Sequence, residues 1–429
     1  MRFPWPGWHA PVELDLLARL QVSRRTGVSG RKSNLMTSVQ AKHDYELRLM
    51  MPFLVHALIF QVVTGLTRVT ASYRAIELDV SYIWYGAISS GYALLPIFLA
   101  IPLGRYIDRG NDTRAIWVGS AFQLAANAGF WMWSMEPLAL TAYSVVAGIG
   151  HLFTMAGHQA LTLRCAGPVS REGVFGWYMV VLSIGQMIAP ALIGWMAGSA
   201  RLPPTAALFA IAFVLSIATI AIAFTLRPAP AASKEERAKP TTPLGEILAV
   251  PGLIPVILAS VMTVASMDLA MIYLPLLGAE RHVDAGHIGM ILTVRALASI
   301  FSRIFYAPAL RLFGRPAVTF WSMMIAAVGY ALVALPLSLP WLYVSAVLIG
   351  FGLGLAVTVC LSNVVDLAPA NARGTAMTIR LTGNRIGQFI IPFAGAVIAG
   401  ATGVGGVFLI IAMGLMGVGA GVRPVLRKR

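Results

Sequence analysis

Residues 184–190 read IGQMIAP, and residues 386–392 read IGQFIIP, 202 positions further along the chain. Both isoleucines, the glycine, the glutamine and the proline recur at the same spacing. Other small residues repeat at the same offset, among them Gly148 and Gly150, which match Gly350 and Gly352. A duplication of this kind predicts a chain built from two related halves.

The composition identifies a membrane protein. Hydrophobic residues make up 58% of the 429 residues and charged residues only 11%, a balance that soluble globular proteins do not show. About 20 apolar residues in a helix cross the bilayer once, and Pro, Gly and clusters of charged residues mark the ends of such helices. The sequence then predicts an all-α fold of twelve transmembrane helices, in two six-helix halves related by a pseudo-two-fold axis along the membrane normal.

The predicted halves are residues 49–226 and 252–422. The polar, Pro-rich residues 227–251 predict a cytoplasmic linker between them. Residues 1–48 have no long apolar stretch and are predicted to be a cytoplasmic extension without a fixed fold, and residues 423–429 to be a basic cytoplasmic tail. The predicted spans are residues 49–72, 81–102, 114–134, 138–162, 173–198, 205–226, 252–277, 286–307, 317–337, 341–365, 374–399 and 405–422.

The basic residues predict the orientation. The formal net charge is +15, and Lys and Arg near the ends of spans are retained in the cytoplasm. With the N-terminus inside, the outer loops hold only Arg74, Arg201 and Arg281. Both termini are therefore predicted to lie in the cytoplasm, and the protein in the inner membrane. Because the basic residues are spread over short loops, a nucleic-acid partner is excluded.

The predicted inner loop between spans two and three carries a recognisable motif. Residues 104–109 read GRYIDR, and Arg114 follows. Over about residues 46–422, this motif and the duplicated halves resemble the major facilitator superfamily of secondary transporters. The resemblance implies that Gly104, Asp108, Arg109 and Arg114 form a gating motif, in which Asp108 and Arg109 latch the two halves in the outward-open state. The alternative is a solvated loop pair.

The chain also departs from the family pattern. The corresponding loop of the second half has Arg311 where the motif requires an aspartate, and span four has Ser144 where some members carry an arginine. Proton coupling through that arginine is therefore not available. The repeated Gly-Gln-x-x-x-Pro motif predicts close helix packing and kinked helices, through Gly185, Pro190, Gly387 and Pro392.

Charges at membrane depth locate the candidate site. A charged side chain in the bilayer costs several kcal/mol, so such residues are expected to face a hydrated cavity or a partner. The predicted substrate and coupling residues are Arg68, His151, Asp268, Arg295, Arg380, Asn384, Arg385 and Gln388. The helical period places Arg380, Asn384 and Gln388 on one face and Arg385 about 100° away from Asn384.

Asp268 has two possible roles. In the first, it is the counter-ion of Arg295 or of an arginine in span eleven. In the second, it carries a proton and couples transport to the proton gradient. Arg68 is placed towards the outer end of span one, where an arginine can extend to the interface. Arg303 and Asp366, near the inner span ends, are expected to belong to gating contacts.

These features favour a secondary active transporter that moves a small solute by alternating access, and the arginines favour an organic anion. An exporter of neutral or cationic drugs or metabolites, and a non-transporting receptor of the same fold, are the alternatives. The sequence has no phosphate-binding loop and neither His-Glu-x-x-His nor Gly-x-Ser-x-Gly, so we expect no enzyme activity, cofactor or metal. The expected partners are the solute, the lipid bilayer and a coupling proton, and the expected oligomeric state is a monomer.

Overall fold

The computed structural model describes residues 30–165, 171–226, 244–369 and 373–427. The described residues form twelve long helices and one short helix, Leu244–Leu248, which lies in the predicted linker. The long helices are α1 Gly30–Glu77, α2 Tyr82–Asp108, α3 Asp112–Trp133, α4 Pro137–Cys165, α5 Arg171–Ala197, α6 Thr205–Thr225, α7 Leu253–Glu280, α8 Ala285–Ile304, α9 Tyr306–Ala334, α10 Leu339–Leu367, α11 Arg373–Thr402 and α12 Val404–Arg427.

The predicted spans agree with these helices, with two extensions. Helix α1 begins at Gly30, although no fixed fold was predicted before residue 49. Residues 31–51 contain neither Gly nor Pro, so nothing in that stretch ends a helix. The remainder of the predicted extension, residues 1–29, lies outside the described residues. Helix α9 begins at Tyr306 because a short helical segment precedes Gly314, whose φ of 73° is not helical and separates this segment from the rest of α9 by a kink.

Eleven of the described helices are long and apolar enough to cross a membrane. The one predicted span that is not among these eleven is α3, which is 22 residues long but carries the polar residues Gln123 and Asn127. Asn127 is fully buried. It accepts a hydrogen bond from Thr67 Oγ1 in α1 (2.6 Å) and donates one to Ser216 Oγ in α6 (2.7 Å). The Asn127 amide is thus satisfied inside the bundle, as a polar group within lipid requires, whereas Gln123 Oε1 is buried without a hydrogen-bond partner among the described residues.

The two halves meet at pseudo-symmetric contacts. Gly86 in α2 packs against α11, where an added Cβ would lie 2.5 Å from Ala396 Cβ. Gly194 in α5 packs against Gly289 in α8, where a Cβ on Gly289 would lie 2.5 Å from the Gly194 Cα. Gly86 and Gly289 are equivalent positions of the duplicated pattern. Small residues therefore allow close approach at both interfaces.

The glycines and prolines of the repeated motif lie at helix contacts. Gly185 packs against Gln61 of α1, and Gly387 packs against Val261 of α7, each leaving less than 3 Å for an added Cβ. Pro392 accepts a hydrogen bond through its carbonyl from Tyr273 Oη of α7, at 2.7 Å. The carbonyl of Pro190 faces Gly289. The motif therefore lies where α5 and α11 contact their neighbouring helices.

A second pair of equivalent glycines, Gly148 and Gly350, packs against the backbone of Tyr92 and Arg295. An added Cβ on Gly148 of α4 would lie 1.9 Å from the carbonyl oxygen of Tyr92 in α2. An added Cβ on Gly350 of α10 would lie 2.1 Å from the carbonyl oxygen of Arg295 in α8. Tyr92 and Arg295 are thus equivalent positions of the two halves, each pressed against a glycine.

We predict that Gly148→Ala and Gly350→Ala each destabilise the protein by about 1–3 kcal/mol, because the methyl group overlaps a backbone oxygen that cannot move without its helix. Thermal unfolding of the purified protein in detergent measures the effect. Gly421→Ala in α12 is the matched control, since an added Cβ there meets nothing within 4 Å. Equal melting temperatures for all three variants would contradict the close packing described above.

Candidate functional site

An ion pair joins the two halves at the centre of the molecule. Arg68 of α1 donates through Nη1 to Oδ1 of Asp268 in α7, at 2.8 Å. The two side chains are only 12% and 13% exposed. Asp268 lies near the middle of α7 (Leu253–Glu280), and Arg68 lies in the last third of α1. The pair therefore lies at mid-depth, between one helix of each half.

Helix α11 completes the environment of Asp268. Gln388 donates through Nε2 to the second carboxylate oxygen of Asp268, and Arg385 donates through Nη1 to Oε1 of Gln388 at 3.0 Å. Three helices thus contribute to one hydrogen-bonded chain that runs from Arg68 through Asp268 and Gln388 to Arg385. Both oxygens of the carboxylate are occupied.

Aromatic rings line the other side of Arg68. The guanidinium lies over the ring of Tyr92, 4.5 Å from its centroid, a cation–π contact. The imidazole of His151 lies 5.4 Å from the Tyr92 ring and 5.7 Å from the ring of Phe60, measured between centroids. His151 Nδ1 is buried and has no hydrogen-bond partner among the described residues. A small cavity beside the ion pair is lined in part by Arg68, Tyr92 and Ser144.

Arg295 is the most deeply buried of these arginines, with 2% of its surface exposed. It lies near enough to Asp268 and Tyr330 to interact with both electrostatically. It forms no ion pair with a described residue, and its Nε has no hydrogen-bond partner there. A buried guanidinium in this condition is a strong potential ligand for an anion.

Arg380 and Asn384 form a separate polar contact with α7, nearer the start of α11. Arg380 donates through Nη1 to Ser260 Oγ at 3.1 Å, and Ser260 donates to Oδ1 of Asn384 at 3.3 Å. Arg380, Asn384 and Gln388 therefore all contact α7, as expected from their shared face. Arg385 instead interacts electrostatically with Tyr92 and Arg68 of the other half.

Two expectations about the charges were wrong. Asp268 pairs with Arg68 of the first half, and not with Arg295 or an arginine of α11 as its ion-pair partner. Arg68 does not extend to the interface, because its guanidinium lies between Asp268 and the ring of Tyr92. The physical reason is that a carboxylate 2.8 Å away stabilises a buried guanidinium more strongly than the distant lipid headgroups would,.

The predicted gating motif lies at the end of α2. Asp108 and Arg109 are exposed, Gly104 is half-buried, and Arg114 donates to Asn111 Oδ1 at 3.4 Å. Asp108 makes no ion pair with any residue in the described ranges. In the second half, Arg315 forms an ion pair with Asp366 and donates to Ser362 Oγ at 2.8 Å. Arg303 donates across the halves to Ser183 Oγ in α5, at 2.6 Å.

Further contacts close one end of the interface between the halves. The end of the molecule at which α12 finishes is called the terminal end. The opposite end is called the distal end. Towards the distal end, Tyr82 Oη donates to Glu280 (2.8 Å), Ser90 Oγ donates to the carbonyl of Phe389 (2.7 Å), and the backbone N–H of Ala285 donates to the carbonyl of Ala200 (2.9 Å). The distal end is thus sealed by hydrogen bonds between the halves.

Three residues of the site did not emerge from the sequence: Tyr92, Phe60 and Ser260. Phe60 and Ser260 are ordinary components of an apolar span and carry no signal of their own. Tyr92 lies 203 positions before Arg295, close to the offset of the duplicated motif. The duplication therefore carried a signal for Tyr92. It occupies the position in the first half that Arg295 occupies in the second, and equivalent positions lie at the same depth in the membrane.

Comparisons with known proteins agree with this architecture. A model of the Major Facilitator Superfamily matches residues 53–276 and again residues 256–427. No curated protein sequence matches the chain.

Among solved structures, the nucleoside transporter NupG is similar with a TM-score of 0.69 and 15% identity, over 89% of this chain and 100% of that one. A POT family transporter in complex with 5-aminolevulinic acid has a TM-score of 0.71 and 13% identity, over 89% and 96%. A bacterial homolog of the human lysosomal transporter Spinster, in an inward-facing and unoccupied conformation, has a TM-score of 0.68 and 14% identity, over 89% and 97%.

These three likenesses concern the fold, whereas the family model matches most of the sequence, once in each half. The chain is a multi-pass membrane protein that belongs to the major facilitator superfamily of transporters.

Proposed function

We propose that the protein is a secondary active transporter that moves a small organic anion by alternating access. The observation that carries this proposal is the imbalance of charge at mid-depth. Arg68 forms an ion pair with Asp268, and Arg295 and Arg385 lie near enough to the same carboxylate to interact with it electrostatically. Among the described residues, neither of these two arginines forms an ion pair. An anion at this position is attracted by the excess positive charge, and a guanidinium can bind a carboxylate through two parallel hydrogen bonds.

The ion pair acts as a switch between conformations. Arg68 and Asp268 belong to different halves, so any rocking of the halves about the centre changes their separation. An anion that binds Arg68 competes with Asp268 for the same guanidinium. Asp268 then retains the hydrogen bond from Gln388 and interacts with Arg295. Substrate binding is thereby linked to the contact that holds the two halves together.

The distal contacts favour a cycle in which this conformation is accessible from the terminal end. The hydrogen bonds from Tyr82, Ser90 and Ala285 must break before the distal end opens. The exposed Asp108 is consistent with a latch that engages in the opposite, distally open state. Because basic residues lie mainly in the loops at the terminal end, we place that end in the cytoplasm and the protein in the cytoplasmic membrane.

We expect the Arg68–Asp268 pair to be energetically coupled. Arg68→Ala should lower the free energy of unfolding by about 3–5 kcal/mol, because it leaves a buried carboxylate unpaired. Arg68→Ala/Asp268→Ala should cost clearly less than the sum of the two single variants. Unfolding of the four proteins in detergent measures this coupling.

The pair Arg74–Glu77 serves as the control, since it joins two residues of the same helix and Glu77 is 42% exposed. Its coupling should not exceed about 0.5 kcal/mol. Strictly additive effects of the substitutions at Arg68 and Asp268 would show that the ion pair does not form in the membrane protein.

Transport itself is tested in two stages. A thermal-shift screen of small carboxylates, sulfonates, nucleosides and cationic drugs identifies compounds that stabilise the protein. The most stabilising compound is then used, radiolabelled, in counterflow with reconstituted protein. We expect anions to stabilise most, and counterflow to occur.

A neutral or cationic compound as the best ligand would favour the drug or metabolite exporter, and binding without counterflow would favour a receptor. Arg295→Ala should abolish counterflow at unchanged expression, because it removes a buried guanidinium without an ion-pair partner. Arg201→Ala, in an exposed loop, should transport normally. Wild-type rates for Arg295→Ala would remove the central arginines from the proposal.

A further inference from the structure

A small cavity lies beside the central ion pair, on the distal side of Arg68. Its walls come from α1, α2 and α4 of the first half and from α7 of the second half. Ser72 follows Arg68 by one turn of α1, and Ile272 follows Asp268 by one turn of α7. Both helices run towards the distal end, so Ser72 and Ile272 lie distal to the ion pair. The cavity is therefore an extension of the central site between the two halves.

A contact between the halves closes this cavity towards the distal end. Tyr85 of α2 donates through Oη to the carbonyl oxygen of Ile272 in α7. Ile272 itself lines the cavity, and Tyr85 lies one turn of α2 beyond Ser89, which also lines it. The cavity thus lies between the central arginines and the distal seal. A solute that leaves or enters at the distal end passes through it once this contact has broken.

The serines of the cavity differ in what they offer a ligand. Ser72 and Ser89 donate their hydroxyl hydrogens within their own helices, to the carbonyl oxygens of Arg68 (3.3 Å) and Tyr85 (2.8 Å). Their oxygen lone pairs remain available as acceptors. Ser144 of α4 lines the cavity, is only 5% exposed, and forms no hydrogen bond with a described residue. A buried hydroxyl group without a partner costs free energy, so this position favours a ligand that completes its hydrogen bonds.

These groups match a molecule that carries both a carboxylate and a hydroxyl group. Arg68 uses Nη1 for Asp268, and its other guanidinium nitrogens can donate to a second carboxylate. The serine oxygens accept a hydrogen bond, which a plain carboxylate cannot donate. An ammonium group would donate to them as well, but it would add positive charge where Arg295 and Arg385 already lack an ion-pair partner among the described residues. The local charge therefore favours a neutral hydroxyl group.

We propose that this cavity is a subsite for the hydroxyl group of a short hydroxycarboxylate, and that Ser144 determines the preference for it. This inference rests on the proposed transport of an organic anion. The carboxylate binds Arg68, and the hydroxyl group enters the cavity, where it donates to Ser72 or Ser89 and accepts from Ser144. The cavity encloses about 270 Å³, open space at its mouth included, which is less than a drug-sized ligand requires.

The test compares butyrate with the hydroxybutyrates that carry the hydroxyl group on the second, third or fourth carbon, using the purified full-length protein. The four anions share one carbon chain and one charge, so they differ only in the presence and position of the hydroxyl group. Thermal stabilisation is titrated against concentration for each compound. We expect the best hydroxybutyrate to bind about tenfold more tightly than butyrate, a difference typical of a hydrogen bond to a buried group.

Ser144→Ala should reduce this preference to about twofold or less and leave the affinity for butyrate unchanged, because it removes only the free hydroxyl group. Ser89→Ala, which removes an acceptor from the same cavity, should also reduce the preference. Ser345→Ala is the control and should preserve it. Ser345 is also buried, but it lies in α10 of the other half, where its hydroxyl donates to the carbonyl oxygen of Trp341.

Equal affinities for butyrate and all three hydroxybutyrates in the wild-type protein would overturn the hydroxyl subsite and leave the proposed anion transport intact. A Ser144→Ala variant that keeps the full preference would do the same. If none of the four anions stabilises the protein, this inference fails. The screen of sulfonates, nucleosides and cationic drugs then decides whether the proposed anion transport fails with it.

Discussion

The apolar interior of the bilayer is the constraint on which the arrangement of polar residues depends. Within the bilayer a charge must find its partner in the protein, and here Arg68 finds it in the opposite half of the chain. The pair with Asp268 connects α1 to α7 at the point where the two halves meet. The hydrogen bond from Gln388 and the cation–π contact with Tyr92 then hold both charged groups in place. One electrostatic contact therefore organises residues from four helices.

The duplication accounts for the similar helix packing of the two halves, but not for the side chains that they contribute to the central site. Glycines at equivalent positions pack against Tyr92 and Arg295 in the two halves, so the halves share a backbone geometry there. The side chains differ, since the first half presents aromatic rings, a histidine and Arg68, while the second presents further guanidiniums and a carboxylate. The chemistry of the site is thus asymmetric on a nearly symmetric frame.

The sequence predicted the helices but not the side-chain contacts between them. Apolar length and the repeated glycines predicted the spans, because each depends on residues close together in the chain. Helical period alone placed Arg380, Asn384 and Gln388 on one face. The partner of Asp268 depends on how the halves dock, which no pattern within a helix encodes. The break at Gly314 agrees with the loop predicted between spans eight and nine, whereas the short helical segment that begins at Tyr306 was not predicted.

The asymmetry across the central plane has a consequence for the cargo. A molecule held there meets the flat rings of Tyr92 and His151 on one flank and charged groups from α8 and α11 on the other. Two unlike flanks favour one orientation of such a molecule over the reversed one. A solute with a flat apolar part and an anionic part would therefore travel through the protein in a single alignment.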